Sequence, residues 1–140
     1  MHQARTDAAA DEGQDLLEPH IRELFSSLEH AGEGQIRIAS GPAPSRTLRG
    51  EAGREALGTR VRFDLKLADG RLVEARYRAY GCPHTLATCE WLARSLEGSS
   101  LEGLSVGTPL DWARHLGVPA AKLGRLLVIE DALQAALTQS

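Results

Sequence analysis

The sequence predicts an α+β domain in which a small antiparallel sheet carries helices on one face. Three observations predict it. Residues 60–67 and 73–79 alternate between apolar and charged side chains, the period-2 signature of strands with one buried face. They flank Asp69-Gly70, a two-residue hairpin turn signal. On either side of this hairpin, apolar residues recur every three or four positions, as they do along the buried stripe of a helix. Helices and strands are thus segregated along the chain rather than alternating, which is the α+β pattern.

Taken in order, residues 1–13 are polar and alanine-rich without periodicity and read as a disordered tail, leaving residues 14–140 as one domain. Leu17, Ile21, Leu24, Phe25 and Leu28 predict an amphipathic helix over about 14–29, ended by Gly32 and Gly34. Residues 35–57 are rich in Gly, Pro and Ser, with short apolar stretches at Ile36, Ile38 and Leu48 that add one edge strand. Val61, Phe63, Leu65 and Leu67 then alternate with Arg60, Arg62, Asp64 and Lys66. Beyond the turn, Val73, Ala75, Tyr77 and Ala79 alternate with Glu74, Arg76 and Arg78, so the two runs pair as a hairpin.

Gly81 breaks the second strand, and Pro83 suits the first turn of a helix with Leu86, Cys89, Leu92, Ala93 and Leu96 on one face. Thr108, Pro109 and Asp111 have the order of an N-cap, a first-turn proline and a capping carboxylate, and Gly117 closes that short helix. A last helix is expected from about Pro119, with Leu126, Ile129, Leu133, Ala136 and Leu137 facing the core.

Composition narrows the function. The formal net charge is −3, with no broad basic field, which argues against a nucleic-acid backbone as partner. No apolar run approaches the roughly 20 residues that span a bilayer, and residues 1–11 lack a secretory signal, so a cytoplasmic protein without membrane partners is expected. Cys82 and Cys89 on one helix stand about 10 Å apart along its axis, beyond disulfide reach. They read as free thiols.

Tyr80-Gly81-Cys82 at a strand-to-helix junction resembles the IscU/NifU-type family of iron–sulfur cluster assembly scaffolds, whose second cluster-binding cysteine sits in such a motif. Val118-Pro119-Ala120-Ala121-Lys122 falls where that family has its chaperone-recognition segment, Leu-Pro-Pro-Val-Lys, and Glu130-Asp131-Ala132 matches its Glu-Asp-Ala. Upstream, residues 50–59 resemble the family's glycine-rich loop. The resemblance covers roughly residues 16–138 and implies a SufE/NifU-like fold, a three-stranded antiparallel sheet packed by helices. It also implies a non-enzymatic assembly protein that works with a cysteine desulfurase and binds iron or an iron–sulfur cluster.

The family's ligand set is mostly missing. Its three cysteines, histidine and aspartate correspond here to Leu57, Thr59, Cys82, Gly124 and Arg125, so Cys82 alone is retained. One thiolate is short of the four ligands that zinc or cluster iron normally takes. His84 is the candidate second metal ligand, and its alternative is a capping or solvated role. A cluster or zinc ion would accordingly be bound weakly or shared with a partner. Arg125, always protonated, would repel a cation but favour the thiolate of Cys82.

Three functions follow from this pattern. The first is a scaffold-type assembly protein, the second a SufE-like acceptor of persulfide sulfur on Cys82, and the third a regulatory module that binds the desulfurase. A vestigial thiol remains the plain alternative for Cys82. Cys89, on the apolar face, reads as a packing residue, and Trp91 and Trp112 read as core or rim aromatics.

Overall fold

The computed structural model describes residues 18–32 and 46–139. The expected tail over 1–13, the first turn of the expected helix over 14–29, and Ile36 and Ile38 lie outside the described residues. Within them the first helix is shorter than its apolar spacing suggests: α1 runs Pro19–Phe25. Glu18 is extended, with ψ 147°, because the ring of a following proline disfavours the helical conformation. Ile21 and Leu24 are its buried residues.

Three strands follow, β1 (Arg46–Arg54), β2 (Thr59–Ala68) and β3 (Arg71–Tyr80), in antiparallel order β1-β2-β3. A single 3-10 turn at Glu55–Leu57 joins β1 to β2. Asp69 and Gly70 both have positive φ, 52° and 76°, as the hairpin turn that matches strand twist requires. The pairing sets Phe63 opposite Tyr77 and Leu65 between Leu48 and Ala75. A register irregularity between Lys66 and Leu67 then brings Leu67 opposite Leu72. Leu72 is therefore buried where strict alternation favours Val73, which is only half-buried.

Residues 50–54, expected to belong to a glycine-rich loop, are strand. The reason lies at Gly50: a β-carbon there would stand 2.2 Å from the carbonyl oxygen of Ala132 and from the amide of Ala136. The glycine lets a helix backbone lie directly on the strand.

That helix is α4 (Leu123–Leu137); before it come α2 (Pro83–Leu96) and α3 (Pro109–Leu116). Pro119 is extended, and a 3-10 turn at Ala120–Lys122 separates it from α4, so the last helix begins four residues later than expected. Thr108 and Asp111 cap α3 reciprocally, and Gly117 ends it at φ 77°. α4 packs over β1 and β2, and α2 over β3 and α1. Phe63, Tyr77, Trp112, Leu126 and Ile129 fill the space between.

The opposite sheet face is charged. Arg49 and Arg62 bond Asp64, at 2.6 and 3.2 Å, and Lys66 and Arg76 bond Glu74, at 3.1 and 3.0 Å. The outer edge of β3 is covered at both ends, by His30 to Gly32 along Tyr77 and by Gly98 and Ser99 along Leu72. An edge closed this way presents few unpaired backbone groups to other chains.

Candidate functional site at the sheet-to-helix junction

Cys82 occupies the turn between β3 and α2, as the N-cap residue of that helix. An extended strand ends at Tyr80, Gly81 permits the sharp change of direction, and Pro83 starts the helix with a fixed φ. A β-carbon at position 81 would meet the side chain of Thr85 at 2.9 Å, so the glycine keeps Thr85 close to the turn. The Cys82 sulfur lies 3.6 Å from Thr85 Oγ1.

The thiol is half-buried, and burial pushes its pKa up. Hydrogen bonds from the Thr85 amide and hydroxyl and the His84 amide, together with the Arg125 charge, outweigh that effect and hold the thiol below its ordinary value. Arg125, on the first turn of α4, thus acts on Cys82 as the sequence suggests.

The remaining family ligand positions surround the same end of the sheet without supplying ligands. Arg60 pairs with Tyr80, so the β1–β2 connection carrying Leu57 lies at the Cys82 end. Leu57 is 79% exposed, Thr59 is buried, and Gly124 is exposed. His84 is next but one to Cys82, yet its buried ring is engaged at the start of α1: Nε2 lies 3.1 Å from Glu18 Oε1. Among the described residues no group of three or more His, Cys, Asp or Glu is placed to hold a metal ion. The described residues therefore do not make a self-contained cluster site.

A second polar centre, not anticipated from the sequence, lies further along α2, where that helix meets β3 and the segment after α1. Glu90 of α2 is fully buried and accepts from the His30 amide at 2.9 Å, Tyr77 Oη at 3.0 Å and Arg94 Nε at 2.8 Å. The His30 ring bridges Glu90 and Glu97, with Nδ1 and Nε2 at 2.7 and 3.0 Å from the two carboxylates. Burial pushes the Glu90 carboxyl up, but the bonds from Arg94 and His30 overcome it and leave its pKa lowered. Tyr77 is driven well above the ordinary phenol range, first by burial and then by the neighbouring Glu90 charge, so it remains a neutral donor. Little in the sequence signals it, because on a 3.6-residue helix Glu90 falls about 100° round from Cys89, at the margin of the apolar face where a solvated glutamate is ordinary.

Cys89 is fully buried, and burial raises its thiol far above the ordinary range, in keeping with a packing role. Trp112 is a core residue, and Trp91 lies at the rim. In the segment 118–122, Val118 is buried, whereas Pro119, Ala120 and Ala121 are exposed. No helix among the described residues is long and apolar enough to cross a membrane.

Comparison with known proteins places this geometry. Residues 21–139 match the model of the NifU-like N-terminal domain family. The chain is 45% identical over 102 residues to the bifunctional protein NifU/MnmA of Rubrobacter xylanophilus, covering 72% of this chain and 19% of that protein. It is 29% identical over 89 residues to the iron–sulfur cluster assembly scaffold protein IscU of Escherichia coli K12, covering 63% of this chain and 70% of that protein. The chain thus spans about a fifth of the first of these relatives and about half of an iron–sulfur cluster assembly protein of Arabidopsis thaliana, 54%. Among solved structures, a protein described as an assembly scaffold for the SUF system of Fervidobacterium islandicum superimposes with a TM-score of 0.59 at 13% identity, over 86% of this chain and 95% of that one. The N-terminal part of a NifU-like protein from Brucella abortus does so with a TM-score of 0.51 at 15% identity, over 94% and 99%. These two likenesses speak for the fold.

Proposed function

From the premise that this chain belongs to the NifU-like N-terminal domain family, we propose that it is an iron–sulfur cluster assembly protein of the IscU/NifU scaffold type whose own contribution to the cargo is one activated thiol. The supporting observation is Cys82 itself. It stands at the family's strand-to-helix turn, below its ordinary pKa through the Thr85 and His84 hydrogen bonds and the Arg125 charge, and half-open to solvent.

A lone sulfur ligand next to a guanidinium does not hold a metal ion or cluster by itself. Iron or cluster is therefore cargo shared with a second protein that brings the missing ligands, and Cys82 is the point of attachment. His84 reaches this cargo only after leaving Glu18, which makes it the secondary candidate. In this reading the protein acts as a carrier rather than an enzyme, and a cysteine desulfurase is the partner that supplies sulfur as an enzyme persulfide, which two electrons from a thiol reductant release as sulfide. The exposed Pro119 to Ala121 stretch offers a chaperone an accessible segment, with Lys122 beside it.

The test is reconstitution of the purified full chain with ferrous iron, cysteine, a cysteine desulfurase and dithiothreitol, the dithiol supplying the two electrons that turn persulfide sulfur into sulfide. Cluster absorbance and chain-associated iron should appear only with the desulfurase present and should disappear in Cys82→Ser. A chain that acquires neither iron nor sulfide under these conditions overturns the reading, and so does uptake that is unchanged in Cys82→Ser.

A further inference from the structure

Three helices meet at a point outside the Cys82 site. His20 of α1 and His115 of α3 lie edge to face with ring centres 5.5 Å apart, and Trp91 of α2 stacks on His115 at 5.0 Å and 29°. His20 and Trp91 are half-buried and His115 is exposed. Beside His20 a solvent-open hollow is lined by Pro19, Arg22, Glu23 and Ser26. The iron–sulfur reading uses none of these residues.

We infer that His20 and His115 form a binding site for a divalent transition ion of the imidazole-preferring class, nickel, copper or zinc. The spacing carries the argument. A metal–nitrogen bond of about 2.0–2.1 Å places the centre of each imidazole about 3.2 Å from the ion. Ring centres 5.5 Å apart then correspond to an angle at the ion of about 120°, inside the range of tetrahedral and five-coordinate sites. The rings cross at 60°, and the broad χ2 torsion of an exposed imidazole leaves His115 free to reorient on the ion.

Unlike His30 and His84, neither ring is committed to a carboxylate in any contact described above. Two protein ligands leave the other positions to water, so the site is open and exchangeable rather than structural. Neutral imidazole nitrogens select the late first-row ions over magnesium or calcium. Bound metal would fasten α1 to α3 across these two rings.

Trp91 makes the site directly readable, because a paramagnetic ion on His115 lies within a few ångströms of the stacked indole and quenches its emission. The experiment titrates NiCl2 into the full chain and follows tryptophan fluorescence, with wild type, His20→Ala, His115→Ala, Trp91→Phe and Cys82→Ser compared and circular dichroism checking that each is folded. Nickel rather than copper avoids oxidising the thiol.

We expect saturable quenching that persists in Cys82→Ser, since residue 82 lies about 13 Å along α2 from residue 91. Quenching should be lost in Trp91→Phe, and its midpoint should rise on the order of tenfold or more in His20→Ala and in His115→Ala. Absence of quenching in the wild type overturns the site, as does a midpoint that neither histidine variant moves. Quenching that depends on Cys82 instead assigns the nickel to the cargo site and also overturns it.

Discussion

At the residue scale, two cysteines seven positions apart on one helix have opposite chemistry. Cys82 sits where amides and a guanidinium favour its thiolate, whereas Cys89 is sealed in the core and its ionisation is suppressed. Iodoacetamide should therefore modify Cys82 in the native protein and leave Cys89 untouched until denaturant is added, as peptide mass spectrometry can read. The alkylation rate at Cys82 should rise with pH through a midpoint below that of an ordinary thiol. Removing the positive charge in Arg125→Gln should move that midpoint upward, and an unmoved profile would show that the Arg125 charge does not act on the sulfur.

At the element scale, the contact of α4 with β1 rests on a missing side chain. A methyl group at position 50 would collide with backbone atoms of Ala132 and Ala136, which cannot move aside as a flexible side chain would. Gly50→Ala should lower stability in urea denaturation by roughly 1–3 kcal/mol or more, since overpacking must push the helix off the strand. Thr108 has a smaller and more local task. Its hydroxyl oxygen accepts from the Asp111 amide at 3.2 Å, while the Thr108 amide donates to the Asp111 carboxylate at 3.1 Å. Thr108→Ala should cost about 1 kcal/mol by the same measurement, leaving the rest of the fold unchanged.

At the scale of the whole molecule, the Glu90 centre joins three separate stretches of chain: the segment after α1, the middle of β3 and the body of α2. Removing the carboxylate charge in Glu90→Gln leaves buried donors short of an acceptor and should destabilise the protein by roughly 3–5 kcal/mol. The pH dependence follows from the lowered Glu90 pKa. The unfolded chain protonates this carboxyl at a higher pH than the folded one, so its contribution is complete above about pH 4.5 and is lost as pH falls through the folded value. Thermal unfolding of wild type should therefore show an acid limb below pH 4.5 that is smaller in Glu90→Gln, where Glu74, whose pKa is also lowered, still contributes. The same centre pins His30 to Gly32 along β3, through the Gly32 amide to Tyr77 oxygen at 2.8 Å. In His30→Ala the amides of Gly32 and Tyr77 should exchange hydrogen markedly faster than in wild type, with the core of α4 unaffected.

The sequence by itself determined the hairpin, the three later helices and the candidate cysteine, because each is written in short-range terms. Alternation fixes which strand face is buried, Asp69-Gly70 fixes the turn, and Tyr80-Gly81-Cys82-Pro83 fixes where strand gives way to helix. What it left open depended on residues far apart in the chain. Gly50 looked like part of a loop, because the helix that needs its small size comes some 80 positions later. Glu90 looked like one polar residue on an amphipathic helix, because His30, Tyr77 and Arg94 meet it only when the chain is folded. The direction of the His84 ring was settled by Glu18, and the state of Cys82 by the competition between burial and the donors of residues 84, 85 and 125. Tertiary structure decided these points, because hydrogen bonding and desolvation act over a few ångströms in space, whatever the separation along the chain.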